Sequence, residues 1–220
     1  MPTSQLILLS FIQGITEFLP ISSSGHLIII PKLIGLKDQG LIMDVAVHLG
    51  TLLAVIIYFW RDIYRLLFSI VKIFLSTKSQ SGVNSDFLLL TKLFIASLPV
   101  IFMGLILSKY LIINLRTLEI IGWTTLIFGV LLFFADKLNM TIIKINHISF
   151  SGAIFIGLMQ VLALIPGTSR SGITMTAARF LGVERQDAAR FSLLLAIPAI
   201  LGATSLKSYD LYTSGKDFMV

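Results

Sequence analysis

"QGITEFLPISSSGHLIII", residues 13–30, is apolar enough for a helix, yet it places Gln13, Glu17, three consecutive serines and His26 around Pro20. The meaning of that cluster depends on the medium around it. The 220-residue chain is 56% hydrophobic and 13% charged, with a mean hydropathy of +0.95; a soluble domain averages about 45–50% apolar residues. Stretches near the ~20 residues that a bilayer crossing requires recur at 41–60, 86–108, 118–135 and 187–206. The sequence therefore reads as a polytopic membrane protein with at least four spans. Its N-terminus lacks a basic leader and a small-residue cleavage site, so the apolar residues there are expected to stay in the mature fold. The absence of cysteine excludes disulfides and thiolate metal sites. The net charge of +6 comes from Lys and Arg dispersed among membrane-flanking loops. That fits retention of positive loops on the cytoplasmic side and gives no reason to expect a nucleic-acid partner.

The longest polar stretch, "LSTKSQSGVNSD" at 75–86, is only a loop. One integral membrane domain over residues 1–220 is expected, with repeat halves of roughly 1–110 and 111–220. The repeat is carried by "QGITEFLPISSSG" (13–25) and "QVLALIPGTSRSG" (160–172), whose glutamines and Ser-x-Ser-Gly ends share one offset of 147 residues. Pro20 and Pro166 disfavour helix before them, and small polar residues follow in mid-stretch. Each copy thus reads as a hairpin that enters and leaves by one face, its irregular backbone buried in protein or lining a wet cavity. Three crossings separate the hairpins, an odd number, so the second enters from the opposite face. The expected fold is an all-α polytopic membrane protein, an inverted-topology repeat with two re-entrant helical hairpins meeting near the midplane. With the 61–78 segment inside, Arg61, Arg65, Lys72, Lys78, Lys137, Lys144, Arg179, Arg185 and Arg190 face Lys32, Lys37, Lys109, Arg116, Lys207 and Lys216 outside. This excess mildly favours a first hairpin entered from outside and a second from the cytoplasm.

The second tip, "PGTSRSGIT" (166–174), sets Arg170 between Ser169 and Ser171 beside Gly167 and Gly172, and opens into a helical run containing Thr174. Glycines let backbone amides approach an anion, a helix N-terminus adds a favourable dipole, and a guanidinium offers a two-pronged fork to phosphate oxygens. Close helix packing with Arg170 paired to a carboxylate would use the same residues, but a buried arginine in a membrane points first to function. The first tip adds Glu17 as a base or metal ligand, Ser22, Ser23 and Ser24 as hydroxyls, and His26 as a proton shuttle. Gln13 lies one turn before Glu17 and can lend a carbonyl to a cation. Oxygen ligands with phosphate favour Mg2+ or Ca2+. The reaction class these parts suit is phosphoryl transfer, with a serine or a water attacking phosphorus. Glu17 and His26 at an interface facing water, and serines bonding their own backbone, are the plainer readings of the same residues. Asp44 and His48, four apart on one helix face, fit either supporting groups of the site or a pair near the membrane surface. Lys92 is expected to snorkel, and Arg179, Arg185, Arg190, Glu184 and Asp187 to form an ordinary loop and helix start.

"QGITEFLPISSSGH" and "PGTSRSGIT", with "DVAVHLGTLLAVIIYFWRD" between them, resemble the undecaprenyl-diphosphate phosphatase family of bacteria, the bacitracin-resistance proteins (BacA/UppP). The resemblance runs in order over nearly the whole chain. It implies a plasma (inner) membrane hydrolase that converts undecaprenyl diphosphate to the monophosphate for peptidoglycan synthesis, depends on a divalent cation and opens to the outer face. By position, the family's Glu/Gln-x-x-x-Glu motif falls on Gln13 and Glu17, its serine and histidine on Ser23 and His26, and its Pro-Gly-x-Ser-Arg-Ser-Gly signature on Pro166 to Gly172. Arg170 becomes the diphosphate clamp and Ser23 the candidate nucleophile. The expected diphosphate contacts are Ser22, Ser24, Gly167, Ser169, Ser171, Gly172 and Thr174, and the expected metal ligands Gln13 and Glu17. Partners implied are a polyprenyl diphosphate, membrane lipids and a second copy in a homodimer.

Two departures stand out. Gln13 occupies a place where many members carry a second glutamate, which leaves a single carboxylate. The family is also expected to continue beyond "SGKDFMV" for one or two spans of about 20 residues. The competing function is an inverted-repeat transporter or lipid-phosphate flippase, which needs an anion cradle but not Glu17, Ser23 and His26 together.

Overall fold

Residues whose apolar side chains recur without polar interruption form long helices, and the two proline-centred motifs break them. The computed structural model describes residues 2–36, 39–75, 81–107, 117–138 and 143–213. Among these, α1 (Thr3–Thr16) and α2 (Ser23–Leu33) flank the first motif; α3 (Gly40–Tyr58), α4 (Trp60–Leu75), α5 (Ser81–Leu107) and α6 (Leu118–Leu138) follow. Then α7 (Phe150–Gln160), a 3-10 turn (Val161–Leu164) and α8 (Arg170–Phe180) form the second broken motif, and α9 (Arg185–Thr213) closes the described chain. No named strand occurs among the described residues, only a single bridge between Ile143 and Val183.

Three of the four expected spans appear as helices long and apolar enough to cross a bilayer: Ser85–Leu107, Leu118–Leu138 and Arg185–Leu206. The fourth differs. α3 ends at Tyr58, and the chain turns by 75° into α4, so the two helices together make one broken span or a re-entrant loop. Charge at the turn explains the break, because Arg61 and Asp62 follow Trp60 at once and Asp62 takes hydrogen bonds from Arg65 at 3.0 Å and Arg190 at 2.5 Å. The loop expected at 75–86 is also shorter, since α4 reaches Leu75 and α5 starts at Ser81; residues 76–80 lie outside the described residues, as do Lys37, Lys78, Lys109, Arg116, Lys216 and the end of "SGKDFMV". Large apolar side chains face outward along the helices, among them Phe11, Phe94, Phe102, Trp123, Ile127 and Phe133. Such a surface is stable only against lipid, and the chain is a multi-pass membrane protein.

The core sits where α5, α7, α8 and α9 meet, around Ala96, Ala153, Ile156, Ala177, Phe191 and Leu195. Gly157 lets two backbones touch there: a Cβ at this position would stand 2.5 Å from the carbonyl oxygen of Ala96, the close approach that small residues permit between membrane helices. Lys92 does not snorkel. It is 6% exposed, donates to the Asn146 carbonyl at 3.0 Å and lies over the Phe150 ring.

The basic segment expected to be an ordinary loop is a clamp. Arg179, 3% exposed, donates from Nε to Asp136 Oδ1 at 2.9 Å, from Nη2 to the Asp136 carbonyl at 3.0 Å and from Nη1 to the Val183 carbonyl at 2.6 Å. Arg185 adds two 2.9 Å bonds to the same carboxylate, Lys144 pairs with Glu184, and Asp187 accepts from the Ile145 amide at 2.9 Å. These contacts tie the ends of α6, α8 and α9 together. Asp136→Asn is expected to cost about 1.5 kcal/mol in unfolding followed in detergent. That is the low end for a hydrogen bond to a charged group, since Asp136 is itself one-third exposed. Arg185→Ala, removing a side chain that is 73% exposed, should cost less. Equal losses in the two variants would refute Arg179 as the residue that makes the clamp matter.

Candidate active site

Each broken motif ends one helix, turns, and opens the next helix with a serine cap. In the first, Glu17 caps α1 and Ser22 precedes α2 with a φ of +55°, its hydroxyl accepting from the Gly25 amide at 3.3 Å. A non-glycine residue in that backbone region is uncommon and is strained by about 1–3 kcal/mol, and such residues gather at functional sites. In the second, Ser169 precedes α8 and accepts from the Gly172 amide at 3.1 Å. Ser22 with Gly25 and Ser169 with Gly172 are thus matching caps at the repeat's own 147-residue offset. Gln13 and Gln160 match as well, both with no exposed surface.

The two tips meet directly. Ser171 donates to the Leu19 carbonyl at 2.9 Å, and Gly172 is packed close enough to Pro20 that a Cβ would contact it at 3.4 Å. At the centre is Glu17, 6% exposed. Arg170 Nη2 donates to its Oε1 at 2.9 Å, while Ser23 Oγ donates to Oε2 at 2.5 Å and Gln13 Nε2 to Oε2 at 3.0 Å. The other prong of the Arg170 fork, Nη1, reaches the Ser192 carbonyl on α9 at 3.3 Å. An arginine, a buried carboxylate and a serine from opposite ends of the sequence therefore form one connected chain. A membrane interior tolerates such charges when they are paired with one another.

The remaining expected residues take several positions. His26 is half-buried, its Nδ1 2.8 Å from the Ser22 carbonyl. Ser22 is 3% exposed and its hydroxyl is used in the cap; Ser24 Oγ lies 3.4 Å from Ser22 Oγ. Ser169 and Ser171 hydroxyls are 3.0 Å apart and nearly buried. Thr174 is 1% exposed and faces inward, 2.7 Å from Ser192 Oγ. It braces α8 on α9. The Gly167 tip is held by α6, whose Thr124 donates to the Pro166 carbonyl at 2.8 Å and Thr125 to the Gly167 carbonyl at 3.1 Å.

Sequence reading passed over Ser192, Thr51, Thr124 and Thr125. The adjacent threonines in "GWTTLIFG" (122–129) were the available signal, because polar residues in mid-span need a partner. His48, left open between two readings, lies next to Glu17: its Nε2 is 3.7 Å from Glu17 Oε2, and its Nδ1 donates to the Asp44 carbonyl at 2.6 Å.

For a metal, no group of three or more His, Cys, Asp or Glu side chains fit to hold one occurs among the described residues. Several buried polar side-chain atoms lack a hydrogen-bond partner, and one of them is next to Glu17 in the first motif. Gln13 Oε1 has no hydrogen-bond partner, although an unpaired buried polar atom costs about 1–3 kcal/mol. The amide nitrogen, Nε2, faces Glu17; after a half-turn of the amide, Oε1 and the carboxylate would make a pair of hard oxygen donors that suits a divalent cation completing its shell with phosphate oxygens.

A family model for the bacitracin resistance protein BacA matches residues 6–219. An undecaprenyl-diphosphatase of Jannaschia sp. is 51% identical over 197 residues, covering 89% of this chain and 72% of its own length. Undecaprenyl-diphosphatases of Alcanivorax borkumensis, 49% identical over 207 residues (94% and 77%), and Alteromonas mediterranea, 47% over 212 residues (96% and 78%), are similar across the same region. The chain spans about three quarters of the length of these relatives.

Proposed function

Because the chain belongs to the bacitracin resistance protein BacA family, we propose that its two broken motifs are the catalytic centre of an undecaprenyl-diphosphate phosphatase. The enzyme hydrolyses undecaprenyl diphosphate to undecaprenyl phosphate and inorganic phosphate, which renews a lipid carrier of cell-wall synthesis and opposes bacitracin. The observation that carries the site assignment is the contact chain from Arg170 through Glu17 to Ser23. Without substrate, Arg170 neutralises Glu17. An arriving diphosphate offers the guanidinium a better fork partner, and Arg170 then clamps the terminal phosphoryl oxygens. The released Glu17 carboxylate takes the Ser23 proton as Oγ bonds to phosphorus. The bridging phosphorus–oxygen bond breaks and the lipid monophosphate leaves. Water then splits the phosphoserine, releasing phosphate and returning the proton to Ser23. His26, close to Ser23 in sequence and half-buried, relays protons to and from bulk water. Backbone amides opening α8 and the hydroxyls of Ser24 and Ser169 steady the phosphates.

A divalent cation, Mg2+ or Ca2+, would be held by Glu17 and Gln13 Oε1 and would neutralise charge on the diphosphate. The fold reading that accompanies this function is one membrane domain built as an inverted-topology repeat, with both hairpins re-entrant and their tips near the midplane. It would sit in the bacterial inner membrane with the site open to the outer face, as a homodimer. The matched caps and the tip-to-tip contacts support the repeat. A carrier would have no use for a serine hydrogen-bonded to a buried carboxylate.

Phosphate release from a prenyl diphosphate in detergent tests the activity. Release from the diphosphate and none from the corresponding monophosphate is expected; no release from folded protein would refute the assignment. Chelation should suppress release, and added Mg2+ or Ca2+ should restore it. A rate indifferent to chelator would remove the cation from the scheme.

A further inference from the structure

His48 stands where a third metal ligand would. Its Nε2 is 3.7 Å from Glu17 Oε2, too far for a hydrogen bond. Two donors bound to one ion at about 2.0–2.2 Å each can be up to about 4.4 Å apart, so the separation suits ligands sharing an ion. The ring is also held as metal-bound imidazoles are. Nδ1–H donates to the Asp44 carbonyl at 2.6 Å, which fixes the tautomer and aims the Nε2 lone pair away from that bond. The third element is Gln13, fully buried, whose Oε1 is unpartnered while its Nε2 contacts Glu17 Oε2 at 3.0 Å and Thr51 Oγ1 at 3.5 Å. A half-turn of the terminal amide would face its oxygen toward the carboxylate, an arrangement that is repulsive unless a cation lies between them. Glu17 Oε2 has lone pairs enough for both the Ser23 hydrogen bond and an ion.

We propose that Gln13 Oε1, Glu17 and His48 Nε2 form one divalent-cation site, with His48 as a ligand. The inference rests on the cation reading above and alters its consequence. An amide and an imidazole beside a single carboxylate give the site little negative charge and set its preference. Ca2+ and Mg2+ select oxygen ligands, whereas Mn2+, Co2+ and Zn2+ accept imidazole readily. The chain therefore favours Mn2+ or Co2+ over Ca2+. Arg170 opposes ion binding while it is paired with Glu17, so the ion binds more tightly once that guanidinium has turned to phosphate.

The test is calorimetric titration of Mn2+ and of Mg2+ into purified protein in detergent, together with the visible spectrum of added Co2+. Wild type, His48→Ala, His48→Gln and Glu17→Ala are compared, each checked for folding by size exclusion. His48→Ala should weaken Mn2+ binding about 10–100-fold and change the Co2+ absorption, and weaken Mg2+ binding less. His48→Gln, which supplies an oxygen, should narrow the preference for Mn2+ over Mg2+ and covers the case in which the alanine variant misfolds. Unchanged Mn2+ affinity and Co2+ spectrum in both His48 variants, with binding lost in Glu17→Ala, would overturn His48 as a ligand and leave the cation reading standing. No ion binding by wild type would overturn both, and chelator-insensitive phosphate release would still leave the phosphatase itself intact.

Discussion

Arg170→Ala lowers phosphate release by about 100-fold or more, and Arg170→Lys recovers only a small part of it. The expectation follows from what the side chain is asked to do. Its two terminal nitrogens reach Glu17 Oε1 on the first tip and the Ser192 carbonyl on α9, so it spans the site as a fork. Lysine is a compact point charge and cannot present two parallel donors to phosphate oxygens. Losing one preorganised donor aimed at transition-state charge typically costs about 100–1000-fold. Alanine at this position also leaves Glu17, 6% exposed, without its cation, and an uncompensated buried charge destabilises the fold. Rates must therefore be measured per folded molecule. Arg170→Ala combined with Glu17→Gln removes both charges and should regain stability without regaining activity. Near-normal rates in both Arg170→Ala and Ser23→Ala would refute the site. Recovery of activity in the double variant would reassign Arg170 from clamp to structural partner.

The sequence made the site more legible than the frame around it. Gln13, Glu17, Ser23 and Arg170 stand out because polar groups in an apolar run must be paired or functional, and the structure joins those four. The helix breaks were equally visible, since Pro20 and Pro166 each follow the end of helical structure. His26 was harder to place. Two titratable rings, His26 and His48, lie on neighbouring helices, and only packing of α3 against α1 decides which one reaches Glu17. Thr174 reads as a phosphate contact by its place in "PGTSRSGIT", and what its sequence could not show is that its hydroxyl bonds the Arg170 carbonyl at 2.9 Å and lies 2.7 Å from Ser192 Oγ on α9. The Asp136 clamp escaped notice for another reason. Charged residues near a membrane boundary usually face water, and nothing local to "ARFLGVER" (178–185) reveals that Arg179 is buried. Apolar runs likewise cannot announce a 75° bend, because both arms at Phe59 are individually good helix.

Gly167→Ala is the second change expected to silence the enzyme, although the added methyl carries no charge. Gly167 has a φ of +91°, where a side chain is already strained, and its surroundings leave no room. A Cβ there would lie 2.1 Å from Thr124 Oγ1, 2.7 Å from the Ile121 carbonyl oxygen and 2.8 Å from the Ile121 Cα. The threonine could turn aside, but the α6 backbone cannot, so the tip must withdraw from α6. Withdrawal would break the Thr124 and Thr125 bonds to the Pro166 and Gly167 carbonyls and displace Arg170 three residues on. A shift of about 1 Å in a positioned group can cost about 100-fold in rate, and that is the expected loss. Gly25→Ala is a control on the other tip. Its Cβ would meet the Ile121 side chain at 3.2 Å and Ser22 Oγ at 3.3 Å, contacts that small side-chain movements relieve, and its effect should be several-fold at most. Adding Thr124→Ala to Gly167→Ala separates the two obstacles. Because the Ile121 backbone clash persists, the pair should stay inactive, and restored phosphate release would mean that the threonine hydroxyl alone enforces glycine at this tip.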